Sequence, residues 1–259
     1  ITALNTSNHM EGEVGEIFIK ISEKQEPEMK KNLTLFLCLF VVFLFNRNFY
    51  AASYYPGKAV KKNGTNLLLI TIDTLRADRL SCYNPNFLKT PHIDALAARG
   101  TIFKRAFAHN STTLPSHANI LLGTTPLYHG VHDNFNFIIR EEMVTLAEYL
   151  SEQGFATGAF IGAYPLDSRF GLAQGFTTYD DEYKRQHEDN FYSPERRAEA
   201  VINNAVDWIG RQTSPWFAWI HCYDPHVPYD PPEPFKSRFA KTPYDGEVAY
   251  VDQEMGRLF

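Results

Sequence analysis

Three polar stretches of this sequence hold residue types that could do chemistry together. Asp73 follows directly on the apolar run Asn66–Ile72 (NLLLITI), within ITIDTLRADRL. A carboxylate at the end of a buried strand is rigidly held and suits a hard divalent cation with oxygen ligands. The same aspartate could equally close a turn or cap a helix. Thr113 opens TLPSH, at the start of a helix that Gly123 stops. A hydroxyl there stands beside free backbone N–H groups and the positive end of the helix dipole, which together attract an anion. The alternative is a plain N-cap with Pro115 in the first turn. His226 lies in HCYDPHVPY, between prolines that stiffen the loop. Its imidazole could contact an anionic group or give a proton to a leaving oxygen. The other reading is a structural turn, and Asp224 fits that reading well.

These residues need elements to position them. Apolar runs predict strands at 66–72, 101–108, 155–161 and 216–221, the first a central strand buried on both faces. Helices are predicted between them. One runs from Pro91 to Ala98, with Thr90 as cap and Gly100 as stop. Another covers Pro115–Leu122. A third, Val144–Gln153, is closed by Gly154, and a longer one, Pro194–Arg211, is capped by Ser193. Such alternation predicts an α/β fold, a mainly parallel sheet with helices on both faces. Ligands bind at the carboxyl ends of strands in such sheets, so Asp73, Thr113 and His226 are expected to converge there.

The rest of the chain bounds the class. A hydrophobic share of 44% and a charged share of 21% allow one large core, and the formal charge of -5 without a basic block excludes a nucleic-acid partner. Cys82 and Cys222 show no metal-type spacing and are expected as free thiols unless the fold pairs them. Residues 29–53 join Met29-Lys30-Lys31, the uncharged run Leu33–Phe45 and the small residues Ala51-Ala52-Ser53. That order describes a signal peptide or an N-terminal anchor, with cleavage near Ala51 or Ala52 and a possible membrane attachment through 33–45. The protein is then exported: periplasmic, extracellular or membrane-anchored. Residues 1–28 are expected to be upstream read-through without a fold, and 54–65 a linker. At the far end, Val248, Val251, Met255, Leu258 and Phe259 form a helical stripe that awaits a partner, so the domain spanning 66–259 is expected to be truncated at its C-terminal side.

Several segments together resemble the sulfatase family, of alkaline-phosphatase-like type. They are Asn66–Arg76, Thr90-Pro91-His92-Ile93-Asp94-Ala95-Leu96-Ala97, and Thr113-Leu114-Pro115-Ser116-His117 through Leu121-Leu122-Gly123. His129-Gly130-Val131, Thr145-Leu146-Ala147-Glu148-Tyr149-Leu150, Asp224-Pro225-His226 and Gly246–Asp252 follow in the family's order. The resemblance implies the N-terminal portion of a catalytic domain that hydrolyses sulfuric or phosphoric esters through a metal-bound nucleophile. It places Asp73 as a metal ligand, Thr113 as the nucleophile, His117 where an arginine is usual, and His226 against the bound ester. It implies a divalent cation: calcium if sulfatase-like, or zinc, manganese or magnesium if phosphatase-like. The partner would be a small-molecule, glycan or lipid ester.

The departures are specific. Thr113 replaces the cysteine or serine that becomes formylglycine, and Thr74 replaces a second aspartate. Gly162-Ala163-Tyr164-Pro165 stands where the family has Gly-Lys-x-His, and the resemblance leads one to expect the later metal pair beyond Phe259. As a fragment the chain is expected to be inactive. Two other readings are a non-catalytic binding domain and a phosphoryl-group transferase of the phosphoethanolamine type.

Overall fold

The computed structural model describes residues 65–183 and 195–259. The expected read-through segment, signal or anchor and nearly all of the linker lie outside the described residues, as do Ser193 and Pro194. The elements run β1 (Leu67–Ile72), α1 (Pro91–Arg99), α2 (Thr113–Leu122), α3 (Pro126–His129), α4 (Leu146–Glu152), β2 (Ala156–Ile161), β3 (Thr178–Asp180), α5 (Ala198–Gly210), β4 (Trp216–Cys222), α6 (Phe235–Arg238) and α7 (Pro243–Met255). The described strands form one sheet in the order β1-β4-β2-β3, and every pair is parallel. This is the predicted α/β architecture. Among the described residues, no helix is long and apolar enough to cross a membrane.

The centre of the sheet is β4, not β1. Its side chains alternate between two cores. Phe217 and Trp219 join Leu114, Ala118, Leu121 and Leu150 on one face. Ala218, Ile220 and Cys222 join Ile202, Trp208, Tyr250 and Met255 on the other. Both faces are covered by helices, which is why WFAWIHC is apolar without alternation. NLLLITI, predicted to be central, forms the edge of the described sheet, and Leu67 is 41% exposed. Apolar content alone cannot distinguish an edge strand from a central one, because strand order depends on distant crossovers.

The strand predicted at 101–108 is absent: the segment is irregular, with Phe103 70% and Phe107 74% exposed. A strand exists only through a ladder, and no described strand pairs with this one. The short β3 (TYD) was not predicted, since three residues carry no periodicity. It forms because Gly158 to Phe160 of β2 offer a register and Trp208 Nε1 donates to Thr178 Oγ1 at 3.1 Å.

Helix starts show the same division. α4 is capped locally: Thr145 and Glu148 form a reciprocal capping box. α1 is not capped by Thr90, whose hydroxyl is engaged by Ser81. Asp252 of α7 accepts from the Ile93 and His92 N–H groups instead. α5 begins at Ala198, later than predicted, where Asp224 accepts the Ala198 N–H at 2.8 Å. Val248, Val251 and Met255 of the predicted C-terminal stripe are buried, and Cys82 and Cys222 are free thiols.

Candidate active site

The Asp73 N–H donates to the Cys222 carbonyl at 2.9 Å, which carries the β1–β4 ladder one residue past β1. Asp73 is thereby fixed at the carboxyl edge of the sheet, 9% exposed. The chain then turns through Thr74, whose φ is +47°. The Thr74 hydroxyl donates to Pro225 O at 2.5 Å, and Tyr244 of α7 donates to Thr74 O at 2.9 Å. The turn is thus tied to the loop that carries His226.

Thr113 is the first residue of α2, and Thr112 precedes it as the N-cap position. No side chain caps from either residue. The Thr113 hydroxyl donates instead to Asp73 Oδ2 at 3.1 Å. The expectation of several free amides beside it needs correction. The Leu114 N–H donates to Asn134 Oδ1 at 2.8 Å, Pro115 has no N–H, and the Ser116 N–H goes to Thr112 O. Among the described residues, the Thr113 N–H is the one amide of this first turn without a hydrogen-bond partner. Asn134 carried no sequence signal, because its role arises only where its loop folds back onto α2.

His117 lies one turn further along α2, 6% exposed, with Nδ1 2.7 Å from Thr113 O. A carbonyl only accepts, so Nδ1 carries the hydrogen and Nε2 is bare, without a partner among the described residues. Burial lowers its pKa, although Asp73 and the Thr113 carbonyl pull the other way. Sequence reading missed His221, the penultimate residue of β4. It is fully buried, its ring packs edge-on against His117 at 4.8 Å, and its Nε2 is 3.7 Å from Asp73 Oδ2. Burial, then His117 and His226, hold its pKa well below the ordinary value. The signal was its place at the end of the strand that leads into DPH. Asp73, Thr113, Ser111, Ser116 and His117 line one cleft together with Thr71.

The structure brings Asp73, Thr113 and His117 together. His226 stands on the adjoining loop without a direct bond to them. It is partly buried, its ring stacked on Tyr223 at 4.2 Å and its Nδ1 2.7 Å from Val227 O. Gly162-Ala163-Tyr164-Pro165 leads into a 3-10 turn with Ala163, Pro165 and Leu166 buried. Apolar side chains are thus buried at Ala163 and Pro165, where the family resemblance would have a lysine and a histidine. Among the described residues, no group of three or more His, Cys, Asp or Glu side chains is arranged to hold a metal ion.

The described residues form an α/β fold, a parallel sheet between helical layers with a carboxylate and a helix-borne hydroxyl at its carboxyl edge, and alkaline-phosphatase-like structures share this fold. Solved structures agree on that fold. The phosphonate monoester hydrolase of Agrobacterium radiobacter superposes with TM-score 0.61 at 20% identity, covering 75% of this chain and 58% of that one. A protein in the alkaline phosphatase superfamily from Vibrio parahaemolyticus superposes with TM-score 0.57 at 20% identity, covering 75% and 49%. The sulfatase family model matches residues 65–259, and the chain belongs to the sulfatase family. An N-acetylgalactosamine-6-O-sulfatase of Bacteroides thetaiotaomicron is 38% identical over 110 residues, which is 39% of this chain and 22% of that protein. The chain therefore spans well under two thirds of the length of these relatives.

Proposed function

We propose that the protein to which this chain belongs hydrolyses a sulfuric or phosphoric ester, with unmodified Thr113 as nucleophile and Asp73 as a ligand of a divalent cation. The observation that carries this reading is the Thr113 hydroxyl donating to Asp73 at 3.1 Å, where β1 ends and α2 begins. A hydroxyl so placed sits beside the carboxylate that would hold the cation, and that cation would stabilise its ionised form. The donor set fits a cation in part: Asp73 supplies one carboxylate, and the described residues hold no complete ligand group. A bound divalent ion would favour ionisation of the hydroxyl and neutralise charge on the ester.

The remaining work falls to this chain's own side chains. Thr113 gives its hydroxyl proton to solvent and attacks sulfur or phosphorus, the bond from that atom to the alcohol oxygen breaks and the alcohol leaves taking up a proton, and water later hydrolyses the threonine ester to release the acid and restore the hydroxyl. The Nδ1–H of His226 is held by Val227 O, so a protonated ring would present Nε2–H to an ester or leaving oxygen. Threonine cannot supply an aldehyde hydrate, which favours phosphate esters chemically, while membership of the family favours sulfate. The alcohol is a small molecule, glycan or lipid, and export rests on the pattern at 29–53. A binding-only reading draws on one observation, the apolar filling at Ala163 and Pro165.

The test uses the complete protein with nitrophenyl phosphate, phosphodiester and sulfate substrates, with and without added metal. Thr113→Val is expected to lower turnover by roughly 10³-fold or more while the fold is kept. Turnover like wild type in Thr113→Val would overturn the assignment, and no turnover by the wild type on any ester would favour binding alone.

A further inference from the structure

The imidazole of His221 is fully buried beside Asp73, and the proposed chemistry gives it no task. Its surroundings decide which of its nitrogens carries hydrogen. The indole Nε1 of Trp219 can only donate, and it donates to Thr71 Oγ1 at 3.0 Å. The same Thr71 oxygen is 2.9 Å from His221 Nδ1. Suppose Nδ1 bore the hydrogen. Thr71 would then receive two hydrogen bonds while its own buried hydroxyl hydrogen went unpaired, which is unfavourable. A bare Nε2 lone pair would also face the Asp73 carboxylate 3.7 Å away.

The other tautomer satisfies every group but Nε2, which has no hydrogen-bond partner among the described residues. Trp219 donates to Thr71, Thr71 donates to Nδ1, and the Nε2–H has Asp73 Oδ2 as its neighbour. At 3.7 Å this is longer than a hydrogen bond, but the N–H dipole attracts the carboxylate where a lone pair would repel it. The second Asp73 interaction, from the Thr113 hydroxyl, falls on the same oxygen. We infer that His221 is a positioning residue: the Thr71 hydroxyl, donating to Nδ1, fixes its Nε2–H tautomer and so holds the Asp73 carboxylate in the orientation in which it receives Thr113. His117 then carries the opposite tautomer, with Nδ1–H on the Thr113 carbonyl. The inference rests on Asp73 being the ligand of the proposed site, but the tautomer can be tested apart from it.

The experiment is NMR on the complete protein with labelled histidine and aspartate, first without metal and then with Mn²⁺. The expected result is a hydrogen on His221 Nε2 and a bare Nδ1. Thr71→Ser should keep this pattern, and Trp219→Phe should keep it because Thr71 still donates. Thr71→Val should lose it, and the Asp73 carboxyl resonance should move in Thr71→Val and His221→Leu. His221→Gln, which retains a side-chain donor, should restore that resonance in part. Nδ1–H in the wild type, or a Thr71→Val protein with both signals unchanged, would overturn the inference. Should the tautomer hold while Mn²⁺ leaves Asp73 unbroadened, the positioning role stands and the cation reading of Asp73 fails.

Discussion

Asp252→Ala should destabilise the domain through a helix far away in sequence. Asp252 is 2% exposed on α7, and its Oδ1 accepts the Ile93 N–H at 2.9 Å while its Oδ2 accepts the His92 N–H at 3.3 Å. Thr90 cannot take over, because its hydroxyl is committed to Ser81. Truncation would leave the Ile93 N–H buried and unpaired, which costs about 1–3 kcal/mol. The longer His92 bond lies where water can replace it and adds little. Loss of a negative charge at the α1 N-terminus adds about 0.3–1 kcal/mol. Burial pushes the Asp252 pKa up against the pull of these N–H groups, so some of the loss is offset by relief of a desolvated charge. The net expectation is about 2–3 kcal/mol. With a urea slope of about 1–3 kcal/mol per molar, the unfolding midpoint should fall by roughly 1 M at unchanged slope. Asp252→Asn keeps one acceptor and should lose about half as much. A midpoint within error of the wild type, or an asparagine variant as unstable as the alanine one, would refute this account of how α1 starts.

Two further outcomes are expected. Burial, with Asp224 and Glu195 adding to it against Arg197, pushes the Glu247 pKa up to about 7 from an ordinary 4.5. Because the folded state then binds the extra proton, stability attributable to this group is full below about pH 4.5 and declines as pH rises toward 7; urea midpoints across that window should show the decline, and Glu247→Gln should remove it. Gly175→Ala should cost about 3 kcal/mol, since its φ is +80° and a Cβ would lie 2.1 Å from the Glu148 nitrogen that Thr145 caps. Thermal unfolding should show this as a Tm lower by roughly 6–12 °C, whereas Gly210→Ala, with open space around it, should not lower Tm.

Local chemistry wrote several features of this protein directly into its sequence. The Thr145/Glu148 box starts α4, Gly123 and Gly154 stop helices in left-handed conformations, and WFAWIHC reads as a buried strand because both its faces are covered. Asp73 and Thr113 were legible for the same reason: each sits at the end of an element whose limits are marked nearby. What the sequence could not express depends on groups brought together across long separations. Strand order put NLLLITI at an edge, and the lack of a ladder partner left 101–108 irregular. Asn134 took the Leu114 amide, Asp252 and Asp224 supplied helix starts that Thr90 and Ser193 were expected to supply, and His221 came to face Asp73, far from it along the chain, only through the β1–β4 register. A hydrogen bond or a ladder needs two partners at a few ångströms, and for these pairs only the folded backbone sets that distance.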